Sequence, residues 1–148
     1  MLEEGSFPTS YIKTTSSAVT RAAETCDGSG NAATFNDSEG VLMVEISALI
    51  SGGSTRVISL SSGSQSVNNI YFNFNTSGGL SCQVLTSGGN NNLSTSSINQ
   101  ENNSKILLKY KANDFALWVN GFEVDTDTSL SSTPIGLDRL NFDFGSGR

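Results

Sequence analysis

Apolar and polar residues alternate along several short stretches between residues 40 and 144. A period of two residues is typical of a β-strand with one buried face, because successive side chains point to opposite sides. In Gly40–Ile50 this pattern turns Leu42, Val44, Ile46 and Ala48 toward one side. The same alternation predicts further strands with these inward positions: Arg56–Ser61 (Ile58, Leu60), Asn69–Asn75 (Ile70, Phe72, Phe74), Leu80–Leu85 (Leu80, Cys82, Val84), a short Leu93–Ile98, and Leu137–Phe144 (Leu140, Phe142, Phe144).

The stretch Lys105–Val124 carries the clearest strand signal. It predicts two strands closed by a turn at Asn120-Gly121, a pair that favours the positive φ angles of a tight hairpin. Phe122–Asp125 is assigned to the second strand or to the turn that follows it. The inward positions are every second residue of the two runs: Ile106, Leu108 and Tyr110, then Phe115, Leu117 and Val119.

Glycine- and asparagine-rich segments separate these strands, at Gly52-Gly53, Gly78-Gly79 and the polar tip Gly88–Asn92. No segment has a helical period. Short strands at this spacing predict an all-β, antiparallel sandwich or barrel.

The amino-acid composition limits the classes of partner that this chain is expected to bind. The 148 residues suffice for one domain, and hydrophobic and charged residues make up only 36% and 15% of the chain. The net charge is -6 and the eight basic residues are scattered, so we expect no nucleic-acid partner. No apolar run is long enough to span a bilayer, and the acidic start Met1–Glu4 is unlike a signal peptide.

Cysteine and histidine content limits the chemistry further. The chain has no histidine, which excludes nucleophiles activated by that residue. Its two cysteines are Cys26 and Cys82. Two separately buried thiols are the favoured interpretation, a disulfide is the alternative, and a metal site would lack ligands.

The chain resembles the concanavalin A-like lectin/glucanase domains, also called laminin G-like, of bacteriophage tail-fibre and appendage structural proteins. The similar segments are EEGSFPTSYIKT, SAVTRAAE, GVLMVEISAL, STRVISLS and, most specifically, KYKANDFALWVNGFEV. The resemblance implies a jelly-roll sandwich over residues 22–148, preceded by an extended leader over residues 1–21. It also implies a protein made in the host cytoplasm and located in the virion.

The chain departs from this family in two places. Lys13 stands where relatives usually have proline, and relatives continue past the LDRLNFDFGSG region into one or two further strands. We therefore expect a sandwich that lacks its last strands, either because the sequence is truncated or because another chain supplies them. An open sheet edge of this kind favours strand exchange or oligomerisation.

Glycoside hydrolysis is not expected, although glucanases share the fold. The reaction needs a pair of carboxylates, which glucanases of this fold place on one strand as E-x-D-x-x-E. Here Glu45 is present, but Ser47 and Ile50 occupy the other two positions.

Glycan binding without catalysis is the leading expectation. Alternation points Trp118 away from the core, and Tyr71, Asn73, Asn75 and Gln83 also point outward on their strands. An aromatic ring beside amide groups suits a sugar, which offers an apolar face and many hydroxyls. The alternative for Trp118 is ordinary packing under a loop or at a sheet edge.

Calcium is the one cofactor that the sequence suggests. Asp125 and Asp127 lie two residues apart after the hairpin, and calcium takes oxygen ligands from such loops. Capping of turns by these side chains is the favoured interpretation. The expected partners are therefore glycans or, for a purely structural decoration or connector domain, neighbouring virion proteins.

Overall fold

The computed structural model describes residues 13, 17, 19, 30, 31, 33–47, 55–75, 78–96, 98, 99 and 101–142. Every regular element in these residues is a β-strand, so none of them forms a helix that could cross a membrane. The strands are β1 (Glu39–Ile46), β2 (Arg56–Ser61), β3 (Asn69–Phe74), β4 (Leu80–Thr86), β5 (Gly89–Thr95), β6 (Ser104–Lys111), β7 (Phe115–Val119), β8 (Phe122–Asp127) and β9 (Arg139–Asn141).

The strands form two antiparallel sheets. One sheet has four strands in the order β1-β6-β7-β8, and the other has five in the order β5-β4-β3-β2-β9. The chain changes sheet after β1, β5 and β8. This arrangement confirms the predicted all-β antiparallel sandwich.

The core lies between the two sheets, on the faces that the alternation predicted. Leu42, Val44 and Ile46 pack against it from β1, while Met43 and Glu45 point to the opposite side and are exposed. The buried core residues come from both sheets and from the connections: Leu60, Ile70, Phe72, Phe74, Leu80, Cys82, Val84, Leu93, Ile98, Ile106, Leu108, Tyr110, Phe115, Leu117, Leu130 and Leu137.

The predicted hairpin is a three-stranded meander, so the expectation of two strands was wrong. Phe122–Asp127 is a strand in its own right, β8, because it pairs with β7 along its length. The Asn120-Gly121 turn is confirmed and joins β7 to β8, with φ angles of 51° and 87°. A second turn at Ala112–Asp114 joins β6 to β7 and places Asn113 at a φ of 60°.

The prediction for the fifth strand was displaced. Gly88–Asn92 was expected to be a polar tip, but β5 already begins at Gly89 and ends at Thr95. Pairing with β4 creates this strand, through a register that sets Asn92 opposite Gln83. Backbone hydrogen bonds to β4 hold these residues in a strand. Glycine and asparagine have weak strand propensity, so the sequence pattern did not predict a strand here.

The last predicted strand is shorter than expected. Only Arg139–Asn141 pairs with β2, and Leu137 is buried ahead of the strand. Phe142 is 76% exposed, so its predicted inward position was wrong, since the strand ends before it. Phe144 lies outside the described residues, as do the leader apart from isolated positions and the Ala48 end of the first predicted strand.

Cys82 is a free thiol buried in the core, and this burial raises its pKa far above the usual value. Its packing confirms the favoured interpretation for this cysteine. Cys26 lies outside the described residues. The leader boundary and the expectation of missing final strands stay predictions.

Candidate functional site

A row of polar side chains crosses the outer face of the five-stranded sheet. Residues directly opposite each other in neighbouring strands lie side by side on the same face. Here the register places five hydrogen-bonding side chains in one row, in the order Asn92, Gln83, Tyr71, Ser59 and Asn141. All five are uncharged groups. Asn92 and Asn141 lie on the two edge strands of this sheet, and the other three lie on strands with partners on both sides.

Tyr71 and Gln83 form the centre of this row. The Tyr71 hydroxyl donates a hydrogen bond of 2.5 Å to Oε1 of Gln83. Burial, and secondarily Cys82, raise the pKa of Tyr71, which keeps its hydroxyl protonated as a donor. Since Oε1 of Gln83 is held in this way, the Nε2 group of Gln83 has a defined direction in which to donate.

The ring of Tyr71 is not available as a stacking platform. The residue is only 8% exposed, so the expectation that it would present an aromatic face to a sugar was wrong. Its neighbours across the strands, Ser59 and Gln83, flank it on the same face. Tyr71 therefore acts by orienting Gln83.

A second row lies next to the first on the same face. Asn73 on β3 is opposite Ser81 on β4, which is opposite Ser94 on β5. The Oδ1 atom of Asn73 is buried and has no hydrogen-bond partner among the described residues. Buried amide oxygens usually have a partner, so this unpaired atom is an exception, and its burial keeps it out of reach of a bound sugar.

Exposure on this face increases toward β5. Asn92 and Ser94 are exposed, Gln83, Ser81 and Asn73 are half-buried, and Ser59 is buried. The accessible part of the face thus contains side chains that both donate and accept hydrogen bonds, carried by β3, β4 and β5. We call Asn73, Ser81, Gln83, Asn92 and Ser94 the polar face.

Asn75 does not belong to the polar face. It follows the end of β3 and stabilises the turn to β4, where its Oδ1 accepts a 2.8 Å hydrogen bond from the backbone of Gly79. Asn75 is exposed, as expected, but it does not lie on the strand, because β3 ends one residue earlier. The residue positions the β3–β4 connection.

Trp118 lies on the other side of the molecule. It belongs to β7 in the four-stranded sheet, where it is opposite Leu107 and Glu123. It points outward as predicted and is half-buried. Because the two outer faces of a sandwich point in opposite directions, the structure does not bring Trp118 together with Gln83 or Asn73.

The surroundings of Trp118 are apolar with a charged margin. Val41, Met43 and Leu107 share its face on β1 and β6, and Val41 and Met43 are 60% and 53% exposed. We call Val41, Met43, Leu107 and Trp118 the apolar face. Ion pairs at its margin join Glu39 to Lys111 at 2.9 Å and Lys109 to Asp114 at 2.6 Å.

The two aspartates proposed as calcium ligands both bind backbone groups. Asp125 Oδ2 accepts a 2.8 Å hydrogen bond from Ser94 of the opposite sheet, and its Oδ1 accepts one from Thr126 at 2.9 Å. Asp127 Oδ1 accepts a bond from Ser129, and the Ser129 side chain and backbone lower the Asp127 pKa. In the described part of the chain no three acidic or cysteine side chains are grouped to hold a metal ion.

Glu45, the only acid of the glucanase pattern, lies on the outer side of β1. It is exposed and accepts a 2.7 Å hydrogen bond from Nδ2 of Asn103. The position matching the third acid, Ile50, lies outside the described residues. The glucanase sequence pattern therefore supplies one acid here, whereas glycoside hydrolysis uses a pair of carboxylates.

Sequence reasoning missed Ser81, Asn92 and Ser94. The strand period of β4 turns Ser81 and Gln83 to the same side, so the pattern contained the signal for Ser81. Asn92 and Ser94 could not be placed without the β4–β5 register.

Comparison with known proteins supports the fold. No protein-family model and no curated protein matches the chain. Among solved structures it is similar to the CBM40 module of the Ruminococcus gnavus IT-sialidase, with 14% identity, a TM-score of 0.58, and coverage of 75% of this chain and 68% of that one.

The same module bound to α2,3-sialyllactose gives 14% identity and a TM-score of 0.58, over 74% of this chain and 68% of that one. Bound to α2,6-sialyllactose it gives 14% identity and a TM-score of 0.60, over 84% and 81%. The chain thus has a jelly-roll β-sandwich fold.

Proposed function

We propose that this protein is a non-catalytic glycan-binding module and that the polar face is its binding site. The observation that carries the proposal is the Tyr71–Gln83 hydrogen bond, which fixes an amide beside the exposed side chain of Asn92. Amides can donate to one sugar hydroxyl and accept from the next, so several of them in two adjacent rows match the hydroxyl pattern of a sugar ring.

The residues of the polar face differ in their roles. Gln83 and Asn92 are neighbours across β4 and β5 and would contact the sugar directly, since both are accessible. Tyr71 positions Gln83 from the buried side. Ser81 and Ser94 would contribute hydroxyls at the margin of the contact.

The function named for the similar solved structures supports this proposal. They belong to a carbohydrate-binding module, two of them with bound sialyllactose. The polar face itself carries no charged side chain, so we expect it to recognise sugar hydroxyls more than the carboxylate of a sialic acid.

The resemblance to phage appendage proteins supports a place in a virion. Individual contacts of this shallow, uncharged kind are weak, and many copies on one particle would supply avidity. The proposed absence of catalysis is supported by the sequence, in which Glu45 is the only acid of the glucanase pattern.

A structural role in assembly is the second candidate function. The observation in its favour is the apolar face, because exposed apolar side chains rimmed by charges are typical of surfaces that bind other proteins. This role and glycan binding use opposite sides of the sandwich and are compatible.

A glycan array followed by calorimetry tests the binding proposal. The probes are lactose, α2,3-sialyllactose and α2,6-sialyllactose beside a broad set of bacterial surface glycans. We expect Gln83→Ala and Asn92→Ala each to weaken binding of the best array ligand roughly tenfold, the loss of about one or two hydrogen bonds.

The matched control is Trp118→Ala, which changes the opposite face. It should leave glycan binding unchanged if the polar face is the site. Thermal melting would verify that each variant is folded. Loss of binding in Trp118→Ala, with normal binding in Gln83→Ala, would refute the proposed location.

A further inference from the structure

The apolar face has a charge pattern that makes it complementary to itself. On its two strands nearest the sheet edge, every glutamate of β1 is opposite a lysine of β6: Glu39 is opposite Lys111, and Glu45 is opposite Lys105. Between these two pairs lie two more on the same face, Val41 opposite Lys109 and Met43 opposite Leu107. Acidic residues thus lie along one strand and basic residues along the next.

Consider a second copy packed against this face about a two-fold axis that runs parallel to the strands, between β1 and β6. The rotation places β1 of one copy against β6 of the other. Each residue keeps its position along the strand direction. Glu45 then meets Lys105 of the partner subunit, and Glu39 meets Lys111 of the partner subunit. At the two levels between them, Met43 meets Leu107 of the partner subunit, and Val41 meets Lys109 of the partner subunit.

The other symmetric arrangement is unfavourable. An axis perpendicular to the strands would place Glu39 against Glu45 of the partner subunit, and like charges at an interface oppose association. Only the parallel axis combines opposite charges with apolar contact. Packing of two sheets with nearly aligned strands is also a common geometry, and long lysine and glutamate side chains tolerate the angle of about 30° between them.

We propose that the apolar face binds a second copy of this chain through this two-fold arrangement. Trp118 lies on β7, one strand further from the axis than β6, in the same row across the sheet as Leu107 and Met43. Its ring therefore covers Met43 of the partner subunit. Sulfur–aromatic contacts of this kind are favourable. The exposed apolar side chains of Val41 and Met43 are covered as well.

The size of the face indicates how strong the dimer is. With this axis only β1 and β6 of each copy overlap, because β1 is the edge strand of its sheet. Two strands about 4.8 Å apart and about seven residues long span roughly 230 Å². That is less than a third of the roughly 800 Å² per partner in stable complexes, so the dimer should be weak and populated only toward high micromolar concentration.

Such a dimer has a consequence for glycan binding. Both polar faces remain outside, on opposite sides of a stack of four sheets. Adjacent packed sheets are about 10 Å apart, so the polar faces would be about 30 Å from one another. The pair would bind two glycans on opposing surfaces.

Sedimentation velocity of the full chain tests the arrangement, over a concentration range up to about 500 μM. The variants are Glu45→Lys and Lys105→Glu, measured singly, mixed with each other, and combined in one chain. Each single variant places like charges together twice in the dimer. We expect its dissociation constant to rise at least about tenfold.

The mixture is the decisive sample. A Glu45→Lys chain facing a Lys105→Glu chain regains opposite charges at both contacts, so the mixture should form a heterodimer although each variant alone is monomeric. The variant with both substitutions should also dimerise. The control Asn90→Lys, on the exposed outer side of the other sheet, should associate like the unmodified chain.

Several outcomes would overturn the proposal. Dimers that persist in both single variants would place the interface elsewhere, for example at an open sheet edge. A mixture that stays monomeric would exclude this two-fold axis, and a monomer at every concentration would exclude the dimer. A glycan array signal lost in Trp118→Ala would assign the apolar face to glycans instead.

Discussion

A buried asparagine in β5 offers a direct test of the core. Asn91 is 3% exposed and points between the sheets, opposite Val84 of β4. Neither its Nδ2 nor its Oδ1 has a hydrogen-bond partner among the described residues. Leaving such an amide buried and unpaired costs roughly 1–3 kcal/mol.

We therefore predict that Asn91→Val stabilises the protein. Valine removes the unpaired amide, has a similar volume, and favours the strand conformation. We expect a gain of about 1–2 kcal/mol in the free energy of unfolding, which corresponds to a rise in Tm of about 5 °C for a chain of this size. Urea unfolding followed by tryptophan fluorescence and thermal melting would measure both quantities.

Two control variants make the result specific. Asn92→Val changes the next residue, which is exposed, and should alter stability by less than about 0.5 kcal/mol. Asn91→Ala removes the same amide but leaves a small cavity, so its gain should be smaller than that of valine. A loss of more than about 1 kcal/mol in a folded Asn91→Val protein would refute the reasoning, because it would mean that the amide has a partner such as an internal water.

Two further predictions concern the aspartates after the hairpin. Asp125→Ala should lower the free energy of unfolding by roughly 1–3 kcal/mol through loss of its bonds to Ser94 and Thr126, equally in EDTA and in excess calcium. A calcium-dependent rise in Tm that disappears in the variant would instead identify Asp125 as a metal ligand. For Asp127, hydrogen bonds from Ser129 lower the carboxyl pKa, so its contribution is present above the unfolded pKa of about 3.9 and is lost as pH falls through the lower folded value. The urea midpoint should fall more steeply below about pH 4 in the unmodified protein than in Asp127→Asn, and parallel curves would contradict this assignment.

Much of the fold could be predicted because strand periodicity is a local property. The inward positions of β1, β3, β4, β6 and β7 follow from alternation alone, and the Asn120-Gly121 turn follows from the φ angles that these two residues accept. Predictions failed where pairing rather than side-chain pattern created the element. The asparagine-rich start of β5 and the separate strand β8 both exist because a neighbouring strand supplies their hydrogen bonds.

The candidate site depended still more on the tertiary structure. Periodicity correctly turned Trp118 and Gln83 away from the core, but it contains no information about the sheet to which each strand belongs. Strand order is fixed by contacts between residues far apart in the chain, and it places these two side chains on opposite outer faces. The same order brings Asn92 beside Gln83 and sets β1 glutamates opposite β6 lysines.

The strand patterns of the sequence thus determined that the chain forms an all-β, antiparallel sandwich or barrel and which side of most strands is buried, since both depend on patterns within a few residues. Only the tertiary structure decided which outward side chains are neighbours. It divided one expected glycan site into a polar face and an apolar face, because register and strand order, which no local pattern specifies, determine what shares a surface.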